Sequence, residues 1–257
     1  MNRRTTIFFI LWPILAAFIS LIINAKLYTS MALFFVLPGL FLSYLKPSLI
    51  RKISFFSLIA AVALGSLFDY IMEVTGGWAI GRSEFPNVWF LNYISLIQII
   101  WLFLYVYMVI FFYEIYFDKE KKTALYPKMK PFILLMGGVF GFVVLSHFFA
   151  PSLLYINLFY LKAGVVLFLL PAVAILLKFP RLYGKSLKVA SYFFYSTFIY
   201  EMTALELNHW TYPDATQFAG FIHIYQYSFP IEELFFWIMI GGLAIITWYE
   251  YFDDDLK

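Results

Sequence analysis

Two adjacent carboxylates, Glu232 and Glu233, are the residues of this chain best suited to acid–base chemistry. They follow Pro230 and begin a segment that is otherwise apolar as far as Trp248. A charged side chain inside a membrane-spanning helix costs a few kcal/mol, so such a carboxylate indicates function by default. An alternative is ordinary helix capping, with Pro230 in the first helical turn and the acids favoured by the helix dipole. The local sequence leaves both interpretations open.

A second pair of acids occurs at matching positions in the two halves of the chain. Asp69 lies nine residues before Trp78, and Glu201 lies nine residues before Trp210. Asp69 also shares a helix face with Glu73, four residues later. This matching spacing indicates an internal repeat.

The segments after these tryptophans can be aligned in the same way. Ser95 to Gln98 in the first half matches Pro230 to Glu233 in the second, which places Gln98 opposite Glu233. We therefore predict two repeats of parallel topology with a composite site at their interface. Chance similarity between apolar helices is the alternative explanation.

Metal and cofactor sites are not predicted. Glu206 and His209 have the i, i+3 spacing of di-iron bundles, but the sequence has no second pair of this kind. The chain has no cysteine and no G-x-G-x-x-G motif. Arg82 is the best-placed cation outside the membrane, and it could pair with a carboxylate or with a lipid phosphate.

The composition indicates an all-α polytopic membrane protein. The chain is 63% hydrophobic and 13% charged over 257 residues. About eight apolar segments are long enough, or nearly so, to span a bilayer. We predict spans at 6–24, 29–45, 53–74, 89–116, 131–150, 153–178, 187–207 and 229–251. The net charge of +3 does not indicate a nucleic-acid partner, because the basic residues lie between apolar runs.

The basic residues also predict the orientation and the domain boundaries. With the N-terminus inside, the cytoplasmic loops contain most of the lysines and arginines, so both termini should be cytoplasmic and the plasma membrane is the expected location. We expect a first transmembrane repeat at 1–118, a basic connector at 119–130 and a second repeat at 131–257. No signal-peptide cleavage site is evident after Arg3 and Arg4.

The segment Pro230-Ile-Glu-Glu-Leu-Phe-Phe236 resembles the membrane-integral lycopene cyclase family. Further similarity comes from Glu201 ahead of Trp210-Thr211-Tyr212, and more weakly from Asp69 ahead of Trp78-Ala79-Ile80. The resemblance extends over roughly 30–115 and 155–250, but its specific part is about eight residues long. It implies cyclisation of the ψ-ends of lycopene to ionone rings without a flavin. The first half departs from the pattern, since it lacks the proline and the double glutamate.

The resemblance implies a proton-initiated isomerisation. Glu233 is expected to be the acid, with Glu232 or Glu201 as the base or its support and Asp69 as the counterpart of Glu201. Burial and close pairing of carboxyl groups would supply one neutral acid and one carboxylate. The residues expected to bind the substrate are Trp78, Trp210, Tyr212, Arg82, Glu206, Gln98, Pro230 and Phe236.

The expected partners are a lipophilic polyene such as lycopene and the lipid bilayer. Self-association, or association with other carotenoid enzymes, is left open. A non-catalytic carotenoid- or isoprenoid-binding protein and a small transporter are alternatives from other functional classes. A carotenoid end-group hydratase is a further enzymatic alternative, since water could capture the same cation.

Overall fold

The computed structural model describes residues 3–80, 87–118 and 129–253. Of the described residues 79% are helical, which is consistent with an all-α polytopic membrane protein. The helices are α1 (Arg3–Ile22), α2 (Leu27–Met31), α3 (Leu37–Leu45), α4 (Ile50–Thr75), α5 (Leu96–Tyr113), α6 (Met129–Phe149), α7 (Phe159–Ala163), α8 (Leu170–Lys178), α9 (Arg181–Glu206) and α10 (Gly241–Asp253). The predicted connector lies outside the described residues, except for Met129 and Lys130, which belong to α6.

Four π-helical segments join or extend these helices. They are Ala32–Val36, Glu114–Asp118, Gly164–Leu169 and Glu233–Met239. The first and the third lie directly before α3 and α8, whose second residues are Pro38 and Pro171. A proline cannot donate the backbone bond that an α-helix requires, and the wider π-turn accommodates this gap without breaking the span.

Within the described residues, six helical stretches are long and apolar enough to cross a membrane. A seventh is a bent pair, Glu233–Met239 and Gly241–Phe252, with an angle of 51°. The remaining predicted span, 187–207, lies in α9, which is long enough but too polar to qualify by its composition. All eight predicted segments are thus helical, although their ends differ from the prediction.

Three two-stranded sheets lie next to the helices. Strands β2 (Trp89–Phe90) and β3 (Ile94–Ser95) form a hairpin directly before α5, so the predicted span at 89–116 begins too early. Strands β5 (Phe221–Ile224) and β6 (Tyr227–Pro230) form the corresponding hairpin before the bent pair. Pro230 therefore ends a strand, and the helix begins directly after it, so that Glu233 lies in the first helical turn, as the capping interpretation expects.

The third sheet joins the two halves of the chain. Strand β1 (Ala79–Ile80) pairs antiparallel with β4 (Trp210–Thr211), in the register Ala79 with Thr211 and Ile80 with Trp210. The chain reaches β1 through Gly76, whose left-handed conformation (φ 72°) ends α4. The Gly76 carbonyl accepts a hydrogen bond from the Asp214 amide at 2.9 Å, which further fixes the two loops together.

Hydrogen bonds also connect the two halves of the chain at the C-terminal end of α5. The Tyr113 hydroxyl donates to Glu250 of α10, and the Tyr249 hydroxyl donates to Glu114. Lys52 is buried in α4, with its Nζ 3.8 Å from Glu114 Oε1. The two halves are consequently connected at both ends of α5.

Candidate functional site

An apolar cavity lies between α4 and α5 on one side and the second half of the chain on the other. Its volume is about 80 Å³. For comparison, an engineered apolar cavity of about 150 Å³ binds benzene. The cavity therefore has room for the tip of an apolar chain, and a larger end group requires its side chains to move.

Four tryptophans form much of the cavity wall, two from each half of the chain. They are Trp78, Trp101, Trp210 and Trp237. The Trp101 and Trp237 rings are 5.0 Å apart at an angle of 32°. Aromatic faces stabilise a nearby positive charge through their quadrupoles, so this wall suits a cationic ligand or intermediate.

Among the described residues, Glu233 is the one whose carboxyl group lines this cavity. It is 7% exposed, and its Oε2 accepts a hydrogen bond from the Tyr160 hydroxyl. Tyr160 lies on α7, is itself buried, and packs edge-on against Trp78 with ring centres 5.7 Å apart. The sequence analysis did not identify Tyr160, and no spacing pattern connects it with Glu233.

Asp69 lies behind the Trp78 side of the wall. It is fully buried, and its Oδ1 accepts the Trp78 indole N–H at 3.3 Å. Its other oxygen accepts the backbone N–H of Ser95, at the start of α5. Asp69 therefore fixes both a wall residue and the helix that carries Gln98.

Glu201 has the equivalent position in the second half. It is 2% exposed, and its Oε1 accepts the Trp210 indole N–H at 3.2 Å and the Tyr212 hydroxyl at 3.1 Å. The residue that matches Ser95 is Pro230, which has no N–H to donate, and the Tyr212 hydroxyl is the second donor instead. Burial raises the pKa of the Tyr212 hydroxyl well above its usual range, and the neighbouring Glu201 carboxylate raises it further.

The structure brings five of the predicted site residues together around the cavity: Trp78, Gln98, Trp210, Tyr212 and Glu233. Asp69 and Glu201 contact these residues from behind. Arg82 lies outside the described residues.

The other predicted site residues lie elsewhere. The Glu232 side chain is buried and accepts the Ala219 backbone N–H at 2.6 Å, so it fixes a loop. Glu206 is exposed and accepts hydrogen bonds from Tyr227 and Gln226. Pro230 lies in β6, and the Phe236 ring packs against Gly164. Direct contact with a ligand in the cavity is therefore not expected for these four residues.

A metal site is not evident, since the described residues contain no group of three or more histidine and acidic side chains that could hold an ion. No known protein-family model matches the chain, and neither a curated protein nor a solved structure is significantly similar to it.

Proposed function

We propose that this protein is a membrane enzyme that cyclises the end of a polyene such as lycopene by acid–base chemistry. The observation that carries the proposal is the position of Glu233, a buried carboxyl group inside a cavity walled by tryptophans. Acid-initiated cyclisation needs a proton donor, an apolar container and groups that stabilise a carbocation. The cavity offers all three in one place.

The reaction we propose begins with proton transfer from the Glu233 carboxyl group to the terminal alkene of the chain. A new C–H bond forms, and the alkene becomes a tertiary carbocation. The neighbouring double bond attacks this cation and closes a six-membered ring, which moves the charge onto a ring carbon. The faces of Trp78, Trp210 and Trp237 stabilise the cation as it moves.

The final step removes a ring proton, so that the reaction is an isomerisation. Glu232 is directed toward its loop, which leaves Glu201 as the better base. Glu201 does not line the cavity, but Tyr212 does and donates to it. In our proposal the Tyr212 oxygen accepts the ring proton while its own proton passes to Glu201. Glu233 ends ionised and Glu201 ends protonated, and proton exchange restores both groups.

The proposal includes an architecture of two repeats of parallel topology, 1–118 and 131–257, with both termini cytoplasmic. Three features support it. The helices α4 and α9 have 26 residues each, and each is followed by a short strand (β1 directly after Trp78, β4 beginning at Trp210), then a hairpin and a further helix. The Trp78–Asp69 and Trp210–Glu201 bonds are equivalent. Tyr113 of the first half donates to Glu250 of the second, and Tyr249 of the second half donates to Glu114 of the first. These exchanged tyrosine–glutamate bonds form the reciprocal pattern expected around a pseudo-two-fold axis.

The test is pigment analysis of a lycopene-accumulating bacterial strain that expresses the protein. We expect the wild-type chain to produce a cyclic carotene and Glu233→Gln to produce none. Glu206→Gln is the matched control, since Glu206 is an exposed acid outside the cavity. Equal product from Glu233→Gln would refute the role of Glu233. Lycopene that copurifies unchanged with the wild-type protein would favour a non-catalytic binding protein.

A further inference from the structure

The polar groups around the cavity differ in whether the protein itself satisfies them. The Trp78 and Trp210 indoles and the Tyr160 and Tyr212 hydroxyls each donate to a carboxylate. The side-chain amide of Gln98 makes no hydrogen bond to any described residue, although Gln98 lines the same cavity.

Gln98 is placed where an unpaired amide is unfavourable. It lies in the first turn of α5, is half-buried, and faces a cavity whose lining is mainly aromatic and aliphatic. A glutamine amide has two donors and an acceptor oxygen. The Gln98 amide is not among the buried side-chain atoms that lack a partner, so it is open to the cavity, where a ligand can bond to it. In a membrane protein, an unsatisfied polar side chain inside a span indicates a ligand.

Other polar atoms in the same place also lack a hydrogen-bond partner among the described residues. The Tyr160 hydroxyl bonds to Glu233 Oε2, and no described residue bonds to Oε1. The Trp237 indole N–H also has no acceptor among the described residues. Donors from Gln98 and Trp237 and an acceptor from Glu233 thus surround a cavity of about 80 Å³.

We infer that the cavity binds a chain end that carries one oxygen atom, as a hydroxyl or carbonyl group. The identification of the chain as an isoprenoid rests on the proposed function. The ligand oxygen accepts hydrogen bonds from Gln98, and a hydroxyl also donates to Glu233. The hydrocarbon end of lycopene, the substrate of the proposed function, can enter the same cavity, but it leaves the Gln98 amide unpaired and should bind less tightly than an oxygenated end. A retained water molecule would supply the same oxygen chemistry, and the experiment separates the two sources.

The experiment compares farnesol with farnesene, which has the same carbon skeleton without the hydroxyl group. Binding to the purified full-length protein in detergent micelles is measured by tryptophan fluorescence, since four tryptophans line the cavity. Loss of one hydrogen bond to a buried amide corresponds to about a 10- to 100-fold change in affinity. We expect the farnesol-to-farnesene affinity ratio to fall by at least about 10-fold in Gln98→Leu.

Two further variants make the comparison specific. Gln226→Leu removes an exposed glutamine amide outside the cavity, and we expect it to keep the wild-type ratio. Gln98→Glu keeps a hydrogen-bonding group in place and should keep most of the preference for farnesol. The partition of each ligand into micelles is the same for all variants, so it cancels from the comparison.

Equal ratios in the wild-type protein and Gln98→Leu would overturn the inference. Equal affinity of the wild-type protein for the two ligands would also overturn it, because a retained water would then satisfy Gln98. The titration requires no turnover, so its outcome is independent of the pigment assay. Farnesol selectivity without carotene formation would refute only the proposed reaction.

Discussion

The contact between Gly164 and Phe236 gives a prediction whose magnitude follows from the structure. A Cβ atom at position 164 would lie 2.2, 2.3 and 2.6 Å from three atoms of the Phe236 ring. Carbon atoms in ordinary contact are about 3.5–4.0 Å apart. Gly164→Ala therefore forces the ring, or the helix that carries it, to move by more than about 1 Å.

The movement should also reach the hydrogen bond between Tyr160 and Glu233. Tyr160 lies four residues before Gly164, and Glu233 lies three residues before Phe236, so the two contacts are neighbours on the same helix faces. Overpacking of this kind costs about 1–3 kcal/mol. For a chain of this size, each kcal/mol lowers the melting temperature by about 2–4 °C, so a decrease of about 2–12 °C is expected. Carotene formation should decrease with it as the Tyr160–Glu233 bond lengthens.

The assay is thermal unfolding in detergent, followed by intrinsic fluorescence, together with pigment analysis. Gly137→Ala is the matched control, because a Cβ atom there meets nothing within 4 Å. Alanine is favoured over glycine within a helix by up to about 1 kcal/mol, so this variant should be as stable as the wild type or slightly more stable. A Gly164→Ala protein with wild-type melting temperature and wild-type product would refute the packing argument.

Two further predictions concern stability. Tyr113→Phe removes a hydrogen-bond donor to the buried Glu250 side chain and should lower the free energy of unfolding by about 1.5–3 kcal/mol, measured by thermal unfolding. The control is Tyr251→Phe, which removes an exposed hydroxyl and should cost almost nothing. Equal stability of the two variants would contradict this prediction. Hydrogen bonds from the side chain and backbone of Thr216 lower the pKa of Asp214. Its contribution to stability is thus present above the unfolded pKa of about 4 and is lost as the pH falls through the lower folded value. Proteolysis of this loop should accelerate in acid for the wild-type protein but not for Asp214→Asn, and identical acid profiles would argue against it.

The sequence alone predicts the helical segments well, because each needs a long apolar run. The nine residues between acid and indole in both halves predict a repeat, whereas the hydrogen bonds of Trp78 to Asp69 and of Trp210 to Glu201 become visible only in the structure. Glu232 and Glu233 could not both face one cavity, because neighbouring residues on a helix point about 100° apart. The β5–β6 hairpin continues as far as Pro230, so the helix begins one residue later than the sequence indicates, and Glu233 lies in its first turn.

Other features depend on contacts between distant segments, which the local pattern does not contain. Tyr160 meets Glu233 only because α7 packs beside the π-helical segment that carries Glu233. The exchanged tyrosine–glutamate bonds do have a signal, since Tyr-Glu-Ile-Tyr-Phe-Asp ends at Asp118 and Tyr-Glu-Tyr-Phe-Asp ends at Asp253. This similarity supports the repeat more directly than the spacing of the tryptophans does.

The bonds at both ends of α5 bear on how the protein can move. A transporter with alternating access rocks its two halves, so that one end of the interface opens while the other closes. Here the β1–β4 strands connect the halves at one end of α5, and the exchanged tyrosine–glutamate bonds connect them at the other. Rocking in either direction would break one of these connections. These connections oppose rocking of one half against the other, and they therefore favour the proposed enzyme over a transporter of this kind.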